Sequence, residues 1–368
     1  MGHKRRAEAA WVESRSRWQI NVQRDGKRKT FTSTMPGRKG KHEAEAKADD
    51  WLEAGMPDDM RFDTAWGIYL DHIRKTTGSL NYKDMDSISR TWLLDRLGKK
   101  KLSRIRLDDL QDIVSSAGAA GRSKRTCKNI KDKLNGFYRY AADQRWEISA
   151  DPTKIKLPTQ APTAKRSIIQ PEQLRVLFDK DTITRRGHPF PAYYVHAFRL
   201  MVVIGCRSGE LCGLRKEDYD GEYITIRRSI NKLREITPGK TENAQRKIYL
   251  PERAKQILAD QSSMLSAKGI RSAYLFPQED GQPSFPNHLW NHWRTYSTQH
   301  GIDCSIHELR HTFVSMMNKN LPAAMLKNII GHSASMDTDG VYGHEVDGDK
   351  QRAASIIDDV LTKHLGTH

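Results

Sequence analysis

Cysteines and long apolar runs are both scarce in this sequence. Cysteine occurs four times among 368 residues, at Cys127, Cys206, Cys212 and Cys304, and never as a Cys-x-x-Cys pair. Neither a disulfide scaffold nor a zinc ribbon is therefore supported, and a reducing cytosol is the expected compartment. The apolar run Leu200–Cys206 is far shorter than the roughly 20 residues that a membrane-spanning helix requires. The first residues, Met1–Glu8, lack the apolar stretch of a secretory signal, so we expect no membrane association.

Acidic side chains are outnumbered by basic ones. The chain has 62 Lys and Arg against 45 Asp and Glu, which gives a net charge of +17 with histidine neutral. A hydrophobic fraction of 37% provides apolar mass for two or three cores and excludes a wholly disordered chain. A large positive excess favours a polyanionic partner such as nucleic acid, because clustered Lys and Arg displace the counterions of a phosphate backbone.

The positive charge is concentrated in two regions. Residues 1–41 carry 12 basic and 3 acidic side chains, and residues 61–165 carry 22 basic and 12 acidic side chains. Between them, residues 42–60 carry 1 basic and 7 acidic side chains. The switch of sign marks different kinds of structure along the chain, and the two basic regions are the expected nucleic-acid contacts.

The N-terminal pattern predicts a small sheet backed by a helix. Trp18–Val22 and Arg28–Ser33 alternate apolar and polar residues around an Asp-Gly turn, which is typical of a β-hairpin. Ala10–Glu13 is a candidate third strand, and Gly40–Ala54 has the spacing of an acidic amphipathic helix. We therefore predict a domain over residues 1–56.

This N-terminal domain has two interpretations. It is either a small α+β domain with a solvated basic face, or a sheet that lies in a DNA groove and presents basic strand residues away from the helix. Under the second interpretation, the candidate DNA contacts are Arg24, Lys27, Arg28 and Lys29.

Residues 60–152 are predicted to form a helical domain. Apolar residues recur at helical spacing from Phe62 to Ile73 and again from Leu134 to Ala141. Basic residues cluster near the start of one helix, where free backbone N–H groups also favour phosphate, although a solvated helix face is the ordinary alternative. The candidate phosphate contacts are Lys99, Lys100, Lys101, Arg122, Lys124, Arg125 and Lys128.

The remainder of the chain divides into three predicted parts. Residues 153–166 contain prolines and small polar residues without periodicity, which indicates a linker. Residues 167–348 are predicted to be a further domain that contains the chemistry. Residues 349–368 are predicted to form a tail helix with one apolar face, which must be buried, for example on its own domain; the family resemblance described below suggests a neighbouring protomer as the alternative.

The segment His307–His311 matches the His-Glu-x-x-His pattern of helical zinc proteases. In such enzymes two histidines one turn apart bind the metal and the glutamate serves as base. A third ligand is required, and the position six residues after His311 is Met317. A zinc hydrolase, with His332, Asp337 or Asp339 as the third ligand, therefore remains only an alternative.

The same helix supports an anion-binding interpretation. His307 and Arg310 are three residues apart, so they lie on one helix face and can bind one anion together. Arg207 follows an apolar helix and precedes Glu210 by three residues. Arginine is the side chain best suited to bidentate phosphate binding.

Three further polar segments follow in order. Lys240 lies in Thr237–Pro251, which has the pattern of a hairpin whose return strand is Lys247–Leu250. A Gly-His-Ser turn contains His332, and Tyr342 follows ten residues later.

In this order the motifs resemble those of the tyrosine recombinase, or phage integrase, family. Five family motifs occur in order between Arg207 and Tyr342. They are an arginine followed by x-Gly-Glu-Leu, a hairpin lysine before threonine, a His-x-Leu-Arg-His helix, a Gly-His-Ser turn and a Thr-x-x-x-Tyr segment. The basic sheet at residues 1–56 resembles the arm-binding domain of phage and conjugative-transposon integrases, and residues 60–152 resemble their core-binding domain. The resemblance implies a multidomain, mainly α fold with small β-sheets and an α+β catalytic domain.

The resemblance also implies the reaction. Tyr342 would be the nucleophile that forms a covalent 3′-phosphotyrosine, Lys240 would protonate the departing 5′ oxygen, and His307 would relay the tyrosine proton. Two such exchanges, in sequence through a Holliday junction, recombine two duplexes.

The remaining implied roles are electrostatic. Arg207 and Arg310 would bind the nonbridging oxygens, with a further hydrogen bond from His332. Glu210 would orient Arg207 or His307 rather than react. No metal or cofactor is expected.

The implied partners are two double-stranded DNA attachment sites, with core and arm segments, bound by a homotetramer. An excisionase and a host DNA-bending protein are further candidate partners, and the expected location is the bacterial cytoplasm, at the nucleoid. The alternative within the family is a recombinase that resolves chromosome dimers, although such enzymes usually lack an arm-binding domain.

Overall fold

The computed structural model describes residues 7–24, 27–53, 60–163, 167–238, 245–331 and 348–366; the side chains of Arg24, Lys27 and Glu53 lie outside this description. The chain divides into two compact units, Met1–Ala164 and Lys165–His368. Within the described ranges, no helix combines the length and apolar character needed to cross a membrane.

The first unit begins with a three-stranded antiparallel sheet in the order β1-β2-β3, followed by a helix. These elements are β1 (Ala10–Val12), β2 (Arg17–Arg24), β3 (Lys27–Ser33) and α1 (Gly37–Glu53). The predicted hairpin, third strand and helix are confirmed, although α1 begins three residues earlier than the sequence pattern indicated. Ile20 and Val22 face α1, where the small side chains of Ala44 and Ala48 allow close packing.

The helical part of the first unit has its own apolar core. Its helices are α2 (Phe62–Thr76), α3 (Ser79–Ile88), α4 (Leu94–Leu97), α5 (Leu107–Ala119) and α6 (Lys124–Asp143), with a π-helical turn at Ser89–Leu93 between α3 and α4. The predicted stripes of α2 and α6 meet in an aromatic cluster, in which the Phe137 ring lies 5.1 Å from both Phe62 and Trp66. Burial of these large rings stabilises the helical arrangement.

The stretch predicted as a linker is packed over most of its described length. A short 3-10 helix spans Pro152–Lys154, and Ile155 and Ala161 are buried in the helical core. The Nζ of Lys131 donates to the backbone oxygens of Thr153, at 2.8 Å, and Ile155, at 2.7 Å. The lack of periodicity in this segment therefore corresponds to irregular structure packed against the helical core, not to a flexible linker.

The second unit is built around one buried helix. Its elements are α7 (Pro171–Asp179), β4 (Thr182–Arg185), β5 (His188–Pro191), α8 (Val195–Ile204), α9 (Ser208–Gly213), β6 (Tyr223–Ile226), β7 (Ser229–Ile230), β8 (Ile236–Thr237), β9 (Arg246–Tyr249), α10 (Glu252–Ala267), α11 (Pro286–Gln299), α12 (Ile306–Met317), α13 (Ala323–Ile330) and α14 (Asp349–Leu365). Every residue of α8 except His196 is buried, and α10 and α12 pack against it. A helix that is apolar all round requires such a central position.

The small strands pair differently from the predicted hairpin. The return strand β9 pairs with β6, whereas β8 pairs with β7. The chain between β6 and β9 is thus a longer excursion that contains a second two-stranded sheet, and short sequence patterns do not specify such pairing partners.

Helix α14 packs on its own unit. Ala353, Ile357 and Leu361 are buried in the core of the second unit. The Asp358 carboxylate accepts hydrogen bonds from the backbone N–H groups of Glu252, at 2.7 Å, and Arg253, at 3.3 Å, at the start of α10. The predicted apolar face is therefore covered within the chain.

Candidate active site

Four of the predicted site residues lie within the described part of the chain, and three do not. Lys240, His332 and Tyr342 fall outside the described residues. The described members are Arg207, Glu210, His307 and Arg310.

Arg207 is held at the N-terminus of α9. Glu210 accepts two hydrogen bonds from it: the backbone N–H donates to Oε2 at 2.9 Å, and Nη1 donates to Oε1 at 2.7 Å. Its Nη2 also donates to the backbone oxygen of Gly331 at 3.4 Å. The side chain remains 39% exposed, so its guanidinium is positioned but accessible to a ligand.

Arg310 lies on α12 and is almost completely buried. Its Nη1 donates to the backbone oxygen of Gly205 at 2.7 Å. Its Nη2 is buried and has no hydrogen-bond partner among the described residues. Burial, together with the positive charge of Arg207, lowers the pKa of Arg310 to about 10. The group remains charged at neutral pH and retains unused capacity to donate to an anion.

Arg246 is a site residue that the sequence reasoning missed. It lies on β9, and its side chain is only 7% exposed. Nη1 and Nη2 donate to the two carboxylate oxygens of Glu210, at 3.2 and 2.9 Å, and Nε donates to the Ile329 backbone oxygen at 2.6 Å. A signal was present, because strand alternation places Arg246 on the same face as the buried Ile248 and Leu250.

Glu210 is therefore bonded by two arginines. Burial raises its pKa, but the hydrogen bond and charge of Arg246, together with the contacts of Arg207, outweigh this effect, and the net pKa is lowered. The carboxylate stays ionised and holds the Arg207 guanidinium in position, which is the kind of contact that an orienting residue requires.

The His-Glu-x-x-His segment has a structural explanation. The Glu308 carboxylate accepts hydrogen bonds from the backbone N–H groups of Ser305 and Ser167, which completes a capping box at the start of α12. Burial raises the pKa of Glu308, but these backbone bonds outweigh it and lower the pKa overall. An engaged, low-pKa carboxylate is poorly suited to act as the base of a hydrolase. His307 is exposed, and its ring lies 4.9 Å from the His311 ring.

The three-stranded sheet presents a polar face away from α1. Strand register places Gln19 opposite Thr32, Asn21 opposite Thr30 and Gln23 opposite Arg28. The predicted contact Arg28 lies on this face. Lys29 does not, since it has the same parity as Phe31 and lies 5.2 Å from that ring and 5.7 Å from the Trp51 ring on the helix side. The assignment of Lys29 to the outer face is therefore corrected.

Most of the predicted contacts in the helical part are on the surface. Exposed members are Lys99, Lys100, Arg122, Lys124, Arg125 and Lys128. Lys100 pairs with Asp109 at 2.6 Å, and Lys128 pairs with Asp132 at 2.7 Å. Lys101 is half-buried and forms a backbone bridge with Arg61. At the start of α6, the Thr126 N–H is already capped by the Ser123 hydroxyl.

The arrangement at α9 and α12 defines a class of protein. Arg207 at the start of α9 and Arg310 on α12 lie close enough to interact; the first is accessible, and the second is buried with a donor that no other described residue uses. Such a pair suits the nonbridging oxygens of a phosphodiester, which carry the charge in phosphoryl transfer. Within a mainly helical domain, this arrangement has the chemistry that a phosphoryl-transfer site requires.

Comparison with known proteins specifies the family. The model of the phage integrase family matches residues 168–348. A tyrosine recombinase XerC-like protein of Caldanaerobacter subterraneus subsp. tengcongensis is 21% identical, over 93% of this chain and 95% of its own length. The chain belongs to the tyrosine recombinase, or phage integrase, family and is an enzyme that acts on DNA.

Solved structures share the fold. The Tn1549 transposon integrase in complex with transposon right end DNA has a TM-score of 0.64 at 21% identity, over 80% of this chain and 99% of that one. A lambda integrase tetramer bound to a Holliday junction has a TM-score of 0.58 at 14% identity, over 91% and 98% of the two chains.

Proposed function

We propose that this protein is a site-specific DNA recombinase that integrates and excises a mobile element. The observation that carries the proposal is the arginine pair: Arg310 is buried with an Nη2 that has no hydrogen-bond partner in the described part of the chain, and Glu210 holds the nearby Arg207. Burying a guanidinium without satisfying all its donors is costly, and a scissile phosphate would satisfy it.

The proposed cleavage step is a transesterification. The Tyr342 hydroxyl oxygen attacks the phosphorus, the bond from phosphorus to the 5′ oxygen breaks, and Lys240 gives a proton to that oxygen. His307 relays the proton that tyrosine loses. The product is a 3′-phosphotyrosine and a free 5′ hydroxyl, so the energy of the broken ester bond is retained in the new one.

The arginines act throughout this step. Arg207 and Arg310, with a hydrogen bond from His332, would stabilise the charge on the nonbridging oxygens. The 5′ hydroxyl of the partner strand then attacks the phosphotyrosine and regenerates Tyr342. Arg207, Arg310 and Lys240 supply the positive charge that metal-dependent nucleases obtain from bound ions.

The domain roles complete the proposal. Residues 1–56 would bind arm DNA, residues 60–152 would bind core DNA, residues 167–348 would catalyse strand exchange and residues 349–368 would form the tail. The polar sheet face, with its alternating amides and Arg28, has the chemistry to contact base edges in the major groove. The lambda integrase was solved as a tetramer bound to a Holliday junction, and its similarity to this chain supports the same assembly here. An excisionase and a host DNA-bending protein are proposed accessory partners in the bacterial cytoplasm.

A second function within the family is favoured by one observation. The XerC-like relative is similar over nearly its whole length, which supports resolution of chromosome dimers as the alternative. Recombination between two directly repeated chromosomal sites would support that alternative, whereas joining of the two ends of an element that carries the gene would support integration and excision.

The test is a trapped covalent adduct. Duplex DNA that flanks the gene, nicked near the exchange point, is incubated with the protein in EDTA, and an SDS-resistant protein–DNA band is measured. We expect this band with the wild type and not with Tyr342→Phe. If the wild type forms no adduct across the flanking DNA, or if Tyr342→Phe forms it equally, the proposal is wrong.

A further inference from the structure

The Glu210 carboxylate forms a closed arrangement with Arg207 and Arg246. Oε1 accepts from Nη1 of Arg207 at 2.7 Å and from Nη1 of Arg246 at 3.2 Å. Oε2 accepts from the Arg207 backbone N–H and from Nη2 of Arg246, each at 2.9 Å. Arg246 thus binds the carboxylate through both oxygens, in the fork geometry that makes arginine pairs strong and directional.

Both arginines are also attached to the end of α13. Nε of Arg246 donates to the Ile329 backbone oxygen at 2.6 Å, and Nη2 of Arg207 donates to the Gly331 backbone oxygen at 3.4 Å. The C-terminal end of a helix carries partial negative charge and unsatisfied carbonyls. Arg246 therefore connects β9, α9 and α13 at one point.

The charges of this arrangement matter for catalysis. A carboxylate paired with one arginine cancels the charge that the arginine would offer to a phosphate. Here one buried carboxylate is shared by two guanidinium groups, so the pair retains a net positive charge next to Arg310. The two arginines also differ in exposure: the Arg246 side chain is 7% exposed and the Arg207 side chain is 39% exposed. The inner arginine binds the carboxylate, and the outer one is left accessible.

We propose that Arg246 is a positioning residue for strand cleavage. By binding Glu210 on its inner side, it keeps Arg207 oriented and charged toward the scissile phosphate. This inference rests on the proposed function, since it assigns Arg246 a part in that reaction without contact with the DNA.

The first measurement separates cleavage from binding. Arg246→Met should lower the single-turnover rate of adduct formation about 10²-fold, comparable with the loss of one electrostatic donor, while the Kd for the DNA changes less than about threefold. The cleavage rate of Arg246→Lys should lie between those of the wild type and Arg246→Met, because a single ammonium provides charge but not the two-pronged hydrogen bonding of a guanidinium. The control is Lys247→Met on the same strand, whose side chain pairs with Asp220 on the exposed face; it should cleave like the wild type.

The second measurement distinguishes positioning from simple support of the fold. In Arg246→Met, Glu210 is left to Arg207 alone and neutralises it. Adding Glu210→Gln removes that neutralising charge, so the double variant should recover cleavage at least about tenfold relative to Arg246→Met. If Arg246 only braced the structure, the double variant would cleave no better than Arg246→Met, and that result would overturn the inference.

The two proposals fail in different ways. The wild type must first form the Tyr342-dependent adduct; if it does not, the proposed function fails. If the wild type forms the adduct and Arg246→Met forms it at the same rate, the inference on Arg246 fails while the proposed function stands. A parallel loss of DNA binding and thermal stability in both Arg246 variants would also overturn the positioning role.

Discussion

Arg310 donates from Nη1 to the backbone oxygen of Gly205, at 2.7 Å. Gly205 ends α8 and lies two residues before Arg207, so this one bond fixes α12 relative to the segment that contains the other proposed active-site arginine. The left-handed backbone of Gly205, at φ 64°, turns the chain at this point. The relative position of two arginines from distant parts of the sequence thus depends on a main-chain carbonyl.

Gly205→Ala should disrupt the site. A Cβ here would overlap the buried ring of Phe313 and would force alanine into a positive φ. We expect a loss of about 2 kcal/mol of unfolding free energy and a strong fall in adduct formation, measured by denaturant unfolding and the SDS assay. Gly221→Ala is the control, because its φ of 100° is also positive but no atom of the described residues lies within 4 Å of its Cβ. It should lose stability and keep cleavage; equal cleavage by both variants would contradict the anchoring role.

Arg207→Ala and Arg310→Ala should separate chemistry from binding. Both remove charge from the phosphate site, but the bulk of the basic surface is in the first 165 residues. We expect cleavage to fall by about 10² to 10³-fold or more per arginine, with little change in DNA affinity by gel shift. Raising salt should instead weaken assembly steeply. A variant that lost binding as completely as cleavage would refute this division.

Arg310→Lys should show an altered pH dependence. Burial favours the uncharged form of a cation, so it lowers the pKa of Arg310 to about 10, and the arginine stays charged throughout the assay range. An unperturbed lysine has a pKa of about 10.4, and the same burial would lower the pKa of the substituted lysine toward the pH range of the assay. The ratio of variant to wild-type cleavage rates should therefore fall as pH rises from 6.5 to 9. A constant ratio would show that the lysine keeps its proton over this range, and a rising ratio would also contradict the expected loss of charge.

Asn21→Ala tests the sheet face. Asn21 lies between Gln19 and Gln23 on the face away from α1, and amide side chains are suited to the N6 and N7 edge of adenine. We expect the variant to lose about 1–3 kcal/mol of discrimination at one adenine position, measured by competition between arm duplexes that differ at one base pair. Lys29→Met, on the opposite face, should leave that discrimination unchanged; a matching loss would mean that the outer face is not the reading surface.

The main elements were predictable for a physical reason, and the arginine pair was predictable from the resemblance to a known family. Alternation over Trp18–Val22 and helical spacing from Phe62 onward are local signals of burial, and the structure confirms both. Arg207 and Arg310 followed from short motifs in a fixed order.

Other features depend on tertiary contacts. The Glu210 and Arg246 pair joins residues 36 positions apart, and the packing of Ile155 depends on an irregular segment with no period to detect. The position of Lys29 was available from the sequence, because it shares the parity of the core residue Phe31. Lys29 was predicted to contact DNA because of its charge, but its position in the strand places it on the helix side of the sheet.

The two hydrogen bonds from Arg207 to Glu210 offer a way to observe the site in the absence of DNA. The same carboxylate holds the backbone N–H and the guanidinium of Arg207, so opening the first turn of α9 releases both in one event. Deuterium exchange at that single amide therefore measures how often the free enzyme loses the geometry of the proposed active site. The preorganisation of Arg207, the proposed catalytic arginine, can thus be measured as an opening equilibrium without substrate or turnover.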